Sequence, residues 1–153
     1  SCIDSRVSSE LIFDQGIGDI FSVRIAGNFV NSDILGSMEF ACKLAGTSLI
    51  VVLGHTACGA VKGACDDAEL GNLTGMLGKI KPAVEAVVEP KDKALRKSSN
   101  IEFVNHVSTK NVELTIARIL AESEVLAEMQ KEGSLKIVGA MYNIANGEVV
   151  FYE

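Results

Sequence analysis

The chain lacks an uninterrupted apolar run long enough to cross a bilayer, although 48% of its 153 residues are apolar. It also lacks an excess of positive charge. Fourteen lysines and arginines face 20 acidic residues, for a net charge of −6, which argues against nucleic acid or an anionic membrane as the main partner. A small anion stays open, because one well-placed arginine can bind it locally. Cysteine is scarce: Cys2, Cys42, Cys58 and Cys65 are too few and too scattered for a disulfide scaffold, which leaves metal binding or burial. No internal repeat, low-complexity tract or domain boundary is visible, so residues 1–153 are expected to form one domain able to bury a core. The first residue is not methionine and no signal peptide is visible. The cytoplasm is the default expectation for localisation, with the periplasm as the alternative.

Strand-like and helix-like segments alternate along the rest. "DIFSVRIA" (19–26) has the β-branched content of a strand, and "SLIVVL" (48–53) is the short continuous apolar run of a strand covered on both faces. Between them, "NSDILGSMEFACKLAG" (31–46) repeats Leu35, Met38, Ala41, Cys42 and Ala45 at helical spacing, with Ser32 as N-cap and Gly46 as the stop. Residues 72–88 read as a helix weakened by Gly75, Gly78 and Pro82, and 89–100 as a charged loop. A long amphipathic helix is expected over much of 101–131, with Val112, Ile116, Ile119 and Leu120 on one face. "LKIVGAMYN" and "EVVFYE" read as closing strands about an "ANG" turn. The alternation predicts an α/β fold with a mainly parallel central sheet flanked by helices. Ligands in such folds bind at the carboxyl ends of the strands, and "GHTAC" lies at one of them.

Two motifs carry chemistry. "GHTACGA" (54–60) places His55 and Cys58 three residues apart where a strand turns into a helix, and "SCIDSRV" (1–7) places Cys2, Asp4 and Arg6 on alternate positions. Zinc favours thiolate and imidazole in a tetrahedron, with one position open in a catalytic site, and Cys2, His55 and Cys58 supply three such ligands. A helix start also favours a thiolate at Cys58. Cys65 is too far along its helix from Cys58 to share the ion, about 10 Å at ~1.5 Å per residue. Cys42, on an apolar helical face, is expected to be a small buried hydrophobe, and His106, with no cysteine or histidine near it in sequence, a surface or packing residue. If the first motif is extended, Cys2, Asp4 and Arg6 point to one side. The arginine would then keep the carboxylate ionised and directed. Such an aspartate can orient a metal-bound hydroxide or close the site as fourth ligand; a plain structural ion pair is the other reading.

With both motifs in place, the sequence resembles the β-class carbonic anhydrases. "CIDSRV" resembles their C-x-D-S-R motif, "GHTACGAV" their H-x-x-C motif, "VRIAGNFV" their R-N-A-G-N segment, "GSMEFAC" the helix between the motifs, and "IVGAMYNIANGEVVF" their closing strands. The resemblance implies Zn²⁺ on Cys2, His55 and Cys58, Asp4 and Arg6 as the orienting dyad, and reversible hydration of carbon dioxide to bicarbonate and a proton. It further implies an apolar pocket near Phe21 and Ala26, Phe40 reaching across a subunit interface, the Gly59 N–H near the product anion, and a homodimer or tetramer. Ile25 and Phe40 depart from the family's usual asparagine and tyrosine. Arg24 matches an arginine that some members use with a tryptophan and a tyrosine to bind regulatory bicarbonate, a use disfavoured here by Phe40. The family's N-terminal arm, its substrate-contacting glutamine and the strand before the first cysteine have no counterpart, so an N-terminally truncated domain is expected. Two other functions remain open: a non-catalytic zinc- or bicarbonate-binding homologue, and a related hydrolase of carbon disulfide or carbonyl sulfide.

Overall fold

The computed structural model describes residues 1–152. Its centre is a three-stranded sheet in the order β1 (Leu49–His55), β2 (Lys136–Tyr142), β3 (Val149–Tyr152). β1 and β2 pair in parallel from Leu49 opposite Lys136 to His55 opposite Tyr142, whereas β3 returns antiparallel to β2. The α/β architecture is as expected, but the sheet is smaller and more evenly mixed than a mainly parallel one. Two features account for this. The "ANG" turn, with Gly147 at φ +79°, reverses the chain within six residues (143–148) and so makes the last pair antiparallel. Residues 19–26 do not form a strand. Among the described residues they pair only with Ser1, whose N–H donates to the Val23 carbonyl (2.9 Å) and whose carbonyl accepts from Ile25 N–H (3.1 Å). Beyond that point the first segment turns away, closed by a bond from Val7 N–H to the Asp4 carbonyl (2.9 Å), and β-branched side chains alone cannot supply a partner strand.

Helices cover the sheet. A short helix, α1 (Ser9–Ile12), follows the first motif, and α2 (Ser32–Glu39) runs on into a π-helical turn at Phe40–Leu44, where Ala45 N–H reaches back to the Phe40 carbonyl (3.0 Å). The N-cap of α2 is Asn31 and not Ser32: the Asn31 carboxamide oxygen takes the Ile34 N–H at 2.9 Å. Gly46, at φ +81°, ends the element as expected. After β1 come α3 (Gly59–Cys65), α4 (Gly71–Leu77) and α5 (Lys81–Ala86). The single helix expected over 72–88 is divided because Pro82, which has no N–H to give, sits in the first turn of α5. The long helix is likewise two, α6 (Ile101–Glu122) and α7 (Glu124–Lys131). Ser123 breaks it, taking an extended conformation, capping α7 through Leu126 N–H (3.2 Å) and donating its hydroxyl to Glu39 (2.6 Å).

α6 is the central support. Its Phe103, Val104 and Val107 pack with Val61, Ile80 and Cys58 on one side of the core, and its Val112 and Ile119 pack with Ile50, Val52, Leu35 and Leu126 beside the sheet. Leu53 and Ala140 point to the opposite sheet face and meet Val7. β1 approaches α6 so closely that a Cβ at Gly54 would lie 2.7 Å from both the Val112 methyl and the Met141 sulfur. Gly54→Ala is therefore expected to destabilise the fold by about 1–3 kcal/mol through overpacking, seen as a lower urea midpoint with unchanged slope.

Candidate metal centre

β1 delivers His55 to the centre of the molecule, where the ring is wholly buried. Its Nδ1 lies 3.0 Å from the Thr56 carbonyl. A carbonyl oxygen only accepts, so Nδ1 carries the proton and Nε2 presents a lone pair. That Nε2 is buried and has no hydrogen-bond partner. The chain then turns sharply: Ala57 adopts φ +53°, and its N–H is taken by the Asn105 side-chain oxygen of α6 at 2.8 Å. Left-handed backbone at a residue with a Cβ is strained by about 1 kcal/mol or more, and it brings Cys58 round to the head of α3.

The first motif reaches the same point by a different route. Arg24 grips its backbone, donating Nε to the Cys2 carbonyl (2.9 Å) and Nη2 to the Asp4 carbonyl (2.7 Å). Gly27 N–H lies 3.4 Å from Cys2 Sγ. Only glycine fits here, since φ is +78° and a Cβ would fall 2.3 Å from the Ile80 Cδ1. Cys2 and Cys58 thus face each other with sulfurs 3.9 Å apart, both buried, and the potential ligand atoms of Cys2, His55 and Cys58 all lie within 4.8 Å of one another. A tetrahedral zinc with ~2.3 Å bonds to sulfur requires a sulfur–sulfur edge of about 3.8 Å. The donor set and its spacing fit that ion. The hydrogen bond between the two thiols pulls Cys2 below the ordinary thiol value, and the same bond together with burial pushes Cys58 up.

The family model for carbonic anhydrase matches residues 1–149. Carbonic anhydrase 2 of Mycobacterium tuberculosis is 40% identical over 149 residues, covering 97% of this chain and 70% of that protein. The carbonic anhydrase of Mycolicibacterium smegmatis is 36% identical over 148 residues, with the same coverage. Among solved structures, a β-carbonic anhydrase of Aspergillus fumigatus superposes with a TM-score of 0.86 at 26% identity, over 99% of this chain and 72% of the other. A tetrameric β-carbonic anhydrase of Sordaria macrospora gives 0.80 at 27% identity, over 98% and 76%. The chain belongs to the β-carbonic anhydrase family.

As a β-carbonic anhydrase it has a carboxylate beside the ligand cluster. Arg6 holds Asp4 in a bidentate pair, Nε to Oδ1 at 2.9 Å and Nη2 to Oδ2 at 2.7 Å, and the Arg6 backbone N–H adds a third bond to Oδ1 at 3.0 Å. These bonds arise because residues 4–7 turn, not because the segment is extended as alternation suggested. Arg6 holds the Asp4 carboxyl well below the usual carboxylate range.

The other sequence candidates fall elsewhere. Cys42 and Cys65 are buried in separate apolar clusters, and burial pushes the Cys65 thiol up to about 11. His106 is exposed on α6. Phe21 and Phe40 are both more than half exposed and meet edge to face, with ring centroids 6.5 Å apart; Ala26 is half-buried, and Gly59 is exposed with open space around its Cα. Sequence reasoning missed the bracing roles of Asn105 and Asn111, and matched Arg24 to a regulatory arginine where the structure shows it gripping backbone. The asparagines did leave a signal, as polar residues among the valines of an apolar helix; the Arg24 clamp left none.

Because the folded Asp4 is depressed, the pair's contribution is complete above the ordinary carboxylate range and fades only as pH falls through the folded value. Carboxyl-carbon NMR should show no Asp4 step near the ordinary value of about 3.9, and Arg6→Ala should bring one back toward it. An ordinary titration in the unmodified protein would contradict the bidentate pair.

Proposed function

We propose that this β-carbonic anhydrase hydrates carbon dioxide reversibly with a Zn²⁺ held by Cys2, His55 and Cys58, and that Asp4, fixed by Arg6, orients the attacking oxygen. The observation that carries the reading is the buried, unpartnered Nε2 of His55 facing two buried thiols. An imidazole nitrogen left unsatisfied in the core is costly unless something binds it, and thiolate with imidazole is a donor set suited to zinc. When bound, zinc supplies the Lewis acidity that makes water nucleophilic near neutral pH.

The residues supply the orientation. Asp4 Oδ1 already accepts two N–H groups from Arg6, whereas Oδ2 accepts one, so Oδ2 keeps a lone pair for the hydrogen of the attacking water. Holding that hydrogen at Oδ2 aims the oxygen's remaining lone pair at the substrate carbon. Since Arg6 keeps Asp4 ionised, the carboxylate accepts this hydrogen bond throughout the neutral range. Phe21, Ala26 and Phe40 are assigned to the apolar approach for carbon dioxide and the Gly59 N–H to the departing bicarbonate. The exposed Phe21–Phe40 pair and the tetrameric Sordaria macrospora relative support assembly as a homodimer or tetramer.

The purified protein should carry one zinc per chain and hydrate carbon dioxide in stopped-flow assays. His55→Ala should lose both metal and activity, while Asp4→Asn should keep the metal and lower kcat by about a hundredfold, the scale of a lost proton-handling group. Two thiolates donate more charge than imidazoles do, so kcat should climb between about pH 6.5 and 9. A flat profile would count against this ligand set. Full zinc occupancy without hydration at any pH would favour a binding protein, and preferred turnover of carbon disulfide or carbonyl sulfide in competition would favour the hydrolase.

A further inference from the structure

The two motifs of the candidate centre are 56 residues apart in sequence at Cys2 and Cys58, and little backbone pairing joins them directly. What they share is α6. Most of its buried face is apolar, but Asn105, Ser108, Asn111 and Thr115 interrupt it. Ser108 is satisfied within its own helix, bonding the Val104 carbonyl at 2.9 Å. The two asparagines are different, because Asn105 reaches the turn between two of the candidate ligands and Asn111 reaches the glycine whose N–H faces the third.

Asn105 Oδ1 accepts the Ala57 N–H at 2.8 Å, between His55 and Cys58. Asn111, itself buried, donates Nδ2 to the Gly27 carbonyl at 2.7 Å, and the N–H of the same glycine lies 3.4 Å from Cys2 Sγ. The partners fix both amide orientations, since an N–H needs an oxygen and a carbonyl needs an NH₂. Six residues of helix separate the two asparagines, about 9 Å along a rigid axis. One rod therefore sets the spacing between the His55–Cys58 turn and the cradle of Cys2. Leucine at either place would leave a main-chain partner, the Ala57 N–H or the Gly27 carbonyl, without its bond.

We propose that Asn105 and Asn111 are positioning residues of the metal centre: Asn105 holds the strained turn that carries His55 and Cys58, and Asn111 holds Gly27 so that its N–H bonds the Cys2 thiolate. The proposal rests on the reading of Cys2, His55 and Cys58 as metal ligands. It makes opposite chemical demands at the two positions. Position 105 needs an acceptor, so aspartate should serve there and leucine should not. Position 111 needs a donor, so aspartate and leucine should both fail.

The test uses the full chain loaded with zinc, and with cobalt(II) as a spectroscopic probe, in Asn105→Asp, Asn105→Leu, Asn111→Asp and Asn111→Leu. The rate of zinc release to excess chelator and the thiolate-to-cobalt absorption bands are read beside the urea midpoint. Asn105→Asp should match the unmodified protein. Asn105→Leu and both Asn111 variants should release zinc about tenfold faster or more, the usual scale for lost partners of metal ligands, and the Asn111 variants should shift the cobalt bands. Release rates and spectra unchanged in all four, or aspartate acting alike at both positions, would overturn the proposal. If no Asn111 variant folds, the Asn105 pair decides: equal release from Asn105→Asp and Asn105→Leu sinks the idea. Absence of thiolate-to-cobalt bands in the unmodified protein would instead strike the ligand assignment itself.

Discussion

The bond between His55 Nδ1 and the Thr56 carbonyl organises the centre of this molecule. It selects one tautomer, turns the other ring nitrogen inward and leaves that nitrogen without a protein partner. Burial makes the arrangement expensive for a protein alone and useful for one that binds an ion. The surroundings follow from that constraint. β1 must end at His55, the chain must turn at once to bring Cys58 level with the ring, and the first motif must be drawn in beside them. Thr56 helps to anchor the turn from the other side: its N–H donates to the Tyr142 carbonyl at 3.0 Å and its hydroxyl accepts from Ile144 N–H at 3.2 Å.

Much of this is legible in the sequence, for identifiable reasons. "SLIVVL" announces β1 because a strand covered on both faces needs an unbroken apolar run, and the glycine and histidine that follow mark where it stops. His55 and Cys58 stand out because imidazole and thiolate three residues apart at a strand end have a chemical meaning that a buried leucine lacks. By contrast, "DIFSVRIA" has the composition of a strand, yet composition does not provide a neighbour, and only Ser1 pairs with it among the described residues. The left-handed Ala57 is invisible in advance, because alanine is not the residue that conformation selects; only the bond from Asn105 reveals why it is tolerated there. Ser123 is a similar case. Serine is tolerated inside helices, and its role as a break depends on Glu39 from a distant helix.

Arg24 illustrates how a family match and a structure can assign one side chain differently. By position the family resemblance matches it to an anion-binding arginine. Here its guanidinium is spent on two main-chain carbonyls, those of Cys2 and Asp4. The same grip sets where Cys2 lies and where the Asp4–Arg6 pair begins, so the Cys2 thiol and the Asp4 carboxylate are held by one side chain. The π-helical turn at Phe40–Leu44 has a comparable local effect: Ala41 and Cys42 face the core while Phe40 is left outside to meet Phe21.

The span of chain between the facing sulfurs carries a consequence for the stability of the fold as well as for its chemistry. An ion gripped by both Cys2 and Cys58 closes a loop across 56 positions. A covalent bridge over that length would remove about 4 kcal/mol of chain entropy from the unfolded state, and a metal clip acts in the same sense. A metal held there would then act as a staple on more than a third of the polypeptide. Demetallation would leave the native contacts in place and widen the ensemble they must hold against.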